Sequence, residues 1–347
     1  MKARSDTKSC AAPSKLRAKA DVRLLAASLA LAFAWPIGTP LRAGETAEAM
    51  AQWQQREGRL FAIGWKLGVG NAPFCKNTKP AAGWLLHDAA AYSDAAGVRR
   101  ALSLKGDIAV QAVAPGSPAE KAGMRANDAL VSVNEVLVRE HFPVSDPRWQ
   151  RLQDVREAVD TELALASPVI TAWTTSQGEA RVADIPGTPA CATTFELSGS
   201  GKGAVAEGSR VIFGQDFPGF AYPDAEFAAA IAHELAHNVL EHRAWLDAAG
   251  RKQSNIRATE KEADRLMPWL VANAGYPPEA ARDFMAKWGP RHAGGLLRKR
   301  THDGWDERVE FIEAEIALIR PLMAKTGRAD WSRYFVREPA PAVSPQS

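Results

Sequence analysis

The 347-residue sequence predicts an α+β fold, with a small β-rich region over 106–196 followed by a mostly helical region over 210–337. Three observations predict it. Between 106 and 190, short apolar or β-branched runs are separated by turn residues, as where Val110, Ala112 and Ala114 alternate with Gln111, Val113 and Pro115. Ser198-Gly199-Ser200-Gly201 lies in a Gly/Ser-rich stretch over 197–209 that reads as a linker. Beyond it, four helical patterns follow one another, each closed by Gly or Pro. Hydrophobic residues at 46% and charged residues at 24% agree with a globular chain rather than a disordered one.

In chain order, residues 1–23 are polar and basic, and the apolar run Leu24–Ile37 is interrupted only by Ser28. Leu41-Arg42-Ala43 supplies a small-residue cleavage site before Gly44. This pattern predicts a signal peptide over 1–43 and a periplasmic or secreted protein, at most peripheral to a membrane. The alternative is an uncleaved N-terminal anchor facing the periplasm. The leader carries eight Lys/Arg and two Asp/Glu, so 35 basic against 38 acidic residues remain in the rest. The formal charge of +3 therefore belongs to the leader, and with no basic stripe left a nucleic-acid partner is excluded.

Residues 44–105 show no clear period and are expected to pack on the β-rich region. Val131 and Val133 flank Ser132, and Val169 to Trp173 is another strand candidate. After the linker, Val211-Ile212-Phe213 reads as a short edge strand able to pair with an extended peptide. A first helix runs from Asp224 to about Ala249, stopped by Gly250, and a second from about Asn255 to Ala274. A third follows Pro277-Pro278 and stops at Gly289. A fourth runs from about Trp305 to Ile319 and is ended by Pro321. Pro268 should kink the second helix, and the tail over 338–347 is expected to be disordered.

The first helix holds His233-Glu234-Leu235-Ala236-His237. Four helical residues turn 400°, so both histidines share one face and can chelate one metal. Glu234 lies beside that metal, where it can take the proton of an attacking water. Ile231 and Leu235 point the other way, into the core. Zinc needs a third protein ligand and an open position. His242, nine residues after His233 on one continuous helix, falls on the opposite face and reads as a helix-end histidine. Glu260 on the second helix is the better ligand. Asp264, one turn on, can accept the other ring N–H of a ligand histidine. Glu262 falls on a solvated face.

His233-Glu234-Leu235-Ala236-His237 followed by Glu260-x-x-Ala263-Asp264 resembles the gluzincin HtpX-like metallopeptidases. That group includes the CAAX prenyl proteases and periplasmic quality-control proteases. Ala274-Gly275-Tyr276-Pro277 is similar to the family's A-G-Y-(D/P)-P turn. Thr301-His302 with Arg308 is similar to its late T-H-P…R element, although Asp303 replaces the proline. The resemblance covers about residues 205–320. It implies a zincin-type metallopeptidase domain, one zinc per chain on His233, His237 and Glu260, and Glu234 as general base. His302 and Arg308 are the donors it implies for the oxyanion.

Upstream, Gly106–Val136 resembles a PDZ domain, above all in the run from Val113 to Met124. Ser117 can cap a short helix with Pro118 at its first position, Gly123 can stop it, and Asn127 tolerates a left-handed turn. A generic small β-domain is the alternative. PDZ domains bind extended peptides or chain ends by strand addition. The expected protein is thus an exported zinc endopeptidase that takes unfolded or damaged envelope polypeptides. The rival is a non-proteolytic PDZ-type peptide-binding or chaperone-like protein with a structural or vestigial zinc site, against which Glu234 speaks, since a structural site needs no base. Once the leader is removed Cys10 is lost, and an oxidising compartment then predicts a disulfide between Cys75 and Cys191, with two buried free thiols as the alternative.

Overall fold

Where the sequence shows no period, the chain forms its longest helix, α1 (Ala47–Asn71). In this computed structural model residues 47–292 and 304–338 are described. The predicted leader, His302 and the tail beyond Glu338 lie outside the described residues. The buried residues of α1 include Met50, Glu57, Leu60, Gly64, Leu67 and Asn71, a stripe at helical spacing. Its glycines, which read as loop signals, are contact points. A Cβ on Gly64 would stand 2.3 Å from the Phe195 ring, and one on Gly70 would stand 2.2 Å from the carbonyl oxygen of Asn273.

After α1 come β1 (Thr78–Ala81), β2 (Trp84–Asp88), α2 (Ala95–Ala101) and β3 (Ile108–Val113). The β-rich part continues through α3 (Pro118–Lys121), β4 (Ala129–Val133), β5 (Val136–Leu137), α4 (Val138–His141), α5 (Arg148–Leu165), β6 (Val169–Thr174) and β7 (Ala180–Ile185). Its strands form an antiparallel sheet in the order β2-β3-β4-β6-β7, with β5 paired to β4. The sheet therefore begins at Trp84, upstream of the expected boundary at 106. Ser117 Oγ accepts from the amide of Glu120, Pro118 opens α3, and Gly123 and Asn127 both have positive φ, as the pattern implies. The helix α5 was not anticipated among strands. Its Val155, Val159 and Leu163 recur every four residues and pack with Leu130, Val133 and Trp173 in one core.

The chain then forms β8 (Thr188–Cys191), which pairs with β1 from Thr78↔Cys191 to Ala81↔Thr188. A disulfide joins Cys75 to Cys191 with 5.6 Å between the Cα atoms. The expected linker is not a linker. It contains the end of β9 (Thr194–Ser198) and β10 (Ala204–Ala206). These flank β11 (Arg210–Gly214), parallel to β9 and antiparallel to β10. The strand expected at an edge is thus the central one, and β10 and β9 are the edges of this sheet.

The helical part holds α6 (Asp224–Val239), α7 (His242–Ala249), α8 (Gln253–Asn273), α9 (Glu279–His292), α10 (Trp305–Thr326) and α11 (Trp331–Tyr334). The first predicted helix is therefore two, broken at Glu241, whose φ is 57°. The helices α9 and α10 run past the expected stops at Gly289 and Pro321, and α8 continues through Pro268. Ile231 and Leu235 of α6 are fully buried against α8, as their place opposite His233 requires. Leu60, Ile63 and Leu67 of α1 join this same core. The N-terminal half of α1 instead meets the β-rich part, where Gln54 donates to the Gln111 carbonyl at 3.1 Å and to Asn127 Oδ1 at 2.9 Å. Glu57 links both halves of the molecule, accepting from Gln111 Nε2 at 2.7 Å and from the Leu197 amide of β9 at 3.2 Å.

Candidate metal centre

The helices α6 and α8 pack side by side, and their facing residues bring three donors together. His233 Nε2 and His237 Nε2 are 3.4 Å apart. Glu260 places Oε2 3.4 Å from the first and Oε1 3.6 Å from the second. Zinc–nitrogen bonds of 2.0–2.1 Å in a tetrahedral set imply ligand separations of roughly 3.3 Å. The two imidazoles and the carboxylate therefore fit one face of a zinc tetrahedron. Among the described residues this is the group of His, Cys, Asp or Glu side chains close enough to share an ion. Glu234 follows His233 on α6 and is partly exposed.

Each histidine is held from behind. His233 Nδ1 lies 3.1 Å from Asp264 Oδ1. Asp264 is buried and receives the Arg308 guanidinium through two bonds of 2.6 and 2.7 Å. Arg308, a candidate oxyanion donor by resemblance, thus spends two of its N–H groups on the carboxylate behind His233. Asp264 belongs to α8, so this pair ties α10 to the helix that carries Glu260. His302, the other candidate, lies outside the described residues.

His237 is held by His242, whose Nδ1 lies 2.9 Å from His237 Nδ1. Helical arithmetic put His242 on the far face. The left-handed residue Glu241 ends α6 and restarts the chain as α7, and this turns the His242 ring back. The Glu241 side chain is fixed by Lys76 Nζ at 2.9 Å. His242 Nε2 in turn lies 2.9 Å from Glu262 Oε2. Glu262 is buried at 4% exposure, not solvated, and is bonded by Arg337 and by the Glu338 amide. His242 is not recoverable from spacing on one uninterrupted helix, since the break at Glu241 decides where it faces, and Glu262 is buried because His242 and the Arg337–Glu338 segment cover its side of α8.

Burial opposes charge on His233, yet the Asp264 and Glu260 carboxylates outweigh it and raise its pKa to about 10. Burial lowers His237 to about 3, helped by the two neighbouring imidazoles and opposed by Glu260. Burial also opposes ionisation of Glu262, but His242 and Arg337 win and hold it at about 2. In the protein alone, one imidazolium and its carboxylates thus form a closed charge cluster, with His237 neutral.

A cavity of about 770 Å³ opens between α5, the outer strand β2 and the edge strand β9. Trp53, Leu86, Trp149 and Leu152 supply apolar walls. Arg156 bridges two of its sides, donating to the Leu86 carbonyl of β2 at 2.7 Å and to Glu196 of β9 at 2.8 Å. Two sheet edges of the molecule therefore face one space. No helix among the described residues is long and apolar enough to cross a membrane.

Among known families, the PDZ domain matches residues 110–162, from Val110 on β3 to Glu162 on α5. A PDZ domain therefore occupies this part of the β-rich sheet. No curated protein matches the chain.

Proposed function

From a PDZ domain at 110–162 and a three-donor cluster on two packed helices, we propose that the protein is an exported zinc-dependent endopeptidase of unfolded polypeptides. The observation that carries the reading is the triangle of His233, His237 and Glu260, with Glu234 next to His233 on the same helix. One zinc per chain on these three ligands would supply Lewis acidity at the scissile carbonyl and acidify water.

The chain's own residues do the rest. The Glu234 carboxylate takes the proton of the attacking water and later gives it to the leaving amine. Asp264, locked by Arg308, fixes the His233 ring. The open edge of β10, beside the central β11, can pair with an extended substrate, and His302 is the candidate donor to the developing oxyanion. The cavity lined by β2 and β9 suits a polypeptide partner, because PDZ domains take peptides by strand addition. The Cys75–Cys191 bridge supports export to a periplasmic or extracellular space.

The PDZ match by itself also favours a second reading, a peptide-binding or chaperone-like protein whose zinc is structural. Digestion of denatured casein separates the two. The zinc-loaded protein should cleave it, a chelator should stop cleavage, and Glu234→Gln should keep its zinc while losing about 10²–10⁴ in rate. Loss of zinc on Glu260→Ala is expected alongside. A Glu234→Gln protein as active as wild type overturns the mechanism. Absent cleavage by a zinc-loaded wild type would leave the binding protein as the answer.

A further inference from the structure

We propose that His242, Glu262 and Arg337 form a positioning relay that fixes the His237 ring for metal binding and makes the C-terminal segment part of the centre. The proposal rests on the reading of His233, His237 and Glu260 as metal ligands.

The distances determine the protons. Glu262 Oε2 only accepts, so His242 Nε2, 2.9 Å away, carries the hydrogen. His242 is 1% exposed, and its Nδ1 lies 2.9 Å from His237 Nδ1, so one hydrogen lies between the two rings. A metal on His237 Nε2 leaves that hydrogen on His237 Nδ1, with His242 Nδ1 as its acceptor. His237 Nε2 is left with its lone pair, and this is the atom that faces His233 Nε2 and Glu260. The reverse tautomer would put a hydrogen where the metal must go.

Glu262 can hold this arrangement because it is itself held. Its Oε1 receives Arg337 Nε at 2.8 Å and the Glu338 amide at 2.7 Å, and its Oε2 receives Arg337 Nη2 at 2.8 Å. Glu338 also pairs with Arg265 Nη1 at 2.7 Å, on the same helix as Glu260. The segment after α11 thus closes over the back of α8. The other ring is backed in the same way, with Asp264 Oδ1, itself held by Arg308, 3.1 Å from His233 Nδ1. Each ligand histidine has an acceptor behind it, and each chain of acceptors ends on an arginine. The left-handed Glu241 is the backbone cost of the second relay.

The test measures zinc affinity of the full-length protein by chelator competition, with unfolding of the metal-free forms as a control. His242→Leu should bind zinc about 10–100-fold more weakly than wild type. His242→Gln, whose amide can accept from His237 and donate to Glu262, should recover most of that loss. A side chain that merely filled space would be replaced better by Leu than by Gln. Arg337→Ala removes a half-exposed side chain without emptying the core, so its fold should survive, and it should weaken zinc binding several-fold. Folded His242→Leu and Arg337→Ala proteins with wild-type affinity overturn the relay. So does His242→Gln binding no better than His242→Leu. A wild-type protein that binds no zinc is read in its own arm and overturns the metal centre together with the relay.

Discussion

His87 of β2 is 5% exposed, and its Nε2 has no partner among the described residues. Burial, reinforced by the nearby Arg156 guanidinium, lowers its pKa from 6.5 to about 4. Because the folded value lies below the unfolded one, the fold favours the neutral ring. The stability this contributes is complete above pH 6.5 and is lost as the pH falls toward 4, by about 3 kcal/mol in full at 1.36 kcal/mol per unit. Denaturant unfolding at pH 7 and pH 4.5 should therefore show wild type losing about 2–3 kcal/mol more than His87→Phe, by the same linkage. Equal losses would assign acid sensitivity to other groups. At this scale the candidate centre was partly legible. His233 and His237 meet because a helix repeats every 3.6 residues, and Glu260 meets them because α8, reached through the short helix α7, lies side by side with α6. His242 was misread because its facing depends on one positive φ at Glu241, and nothing in a glutamate announces a left-handed residue. Glu262 was misread because its side of α8 is covered by His242 and by the Arg337–Glu338 segment, which is remote in sequence.

The disulfide acts between elements, tying the end of α1 to β8 across 116 residues. The chain-entropy relation assigns a loop of that length about 4–5 kcal/mol. The double variant Cys75→Ala/Cys191→Ala should unfold at correspondingly lower denaturant. A loss below about 1 kcal/mol would mean that the paired strands hold these ends without the bridge, short of the usual disulfide range. Elements were legible where the local pattern and the packing agree, as along α8 and α9. The helix α1 escaped because Gly58, Gly64, Gly68 and Gly70 read as loop residues, yet at Gly64 and Gly70 the glycine admits a close neighbour. The Gly/Ser stretch over 197–209 failed in the opposite way. Small flexible residues suggest a tether, but β9 and β10 are ordered by pairing with β11, which the local sequence does not encode.

At the scale of the whole molecule, the chain order of a β-rich region followed by a helical one is not the order of its cores. Leu60, Ile63 and Leu67 precede the PDZ sheet in sequence but pack with Phe227, Leu235 and Leu266, which follow it. The β1–β8 ribbon is where the chain leaves that core and returns, since Ala81 and Thr188 are paired neighbours. The PDZ sheet is therefore inserted in sequence between two parts of the helical core, at the two-stranded stem, with α1 and Arg156 adding contacts beside it. Removing 106–190 would cut off most of β8 and orphan β1 together with Leu197's partner network, and should give an insoluble chain. Replacing 82–187 with an Asn-Gly turn instead converts the stem into a simple hairpin. On the proposed zinc-peptidase reading, that trimmed protein should fold, bind zinc and show no selectivity among protein substrates, as zinc content and casein digestion would show; failure to fold would mean that the N-terminal half of α1 cannot stand without the sheet it now covers. Grafting a foreign domain onto the same stem follows from the same geometry. An insertion with adjacent ends is exchangeable in a way that a domain strung along the chain is not.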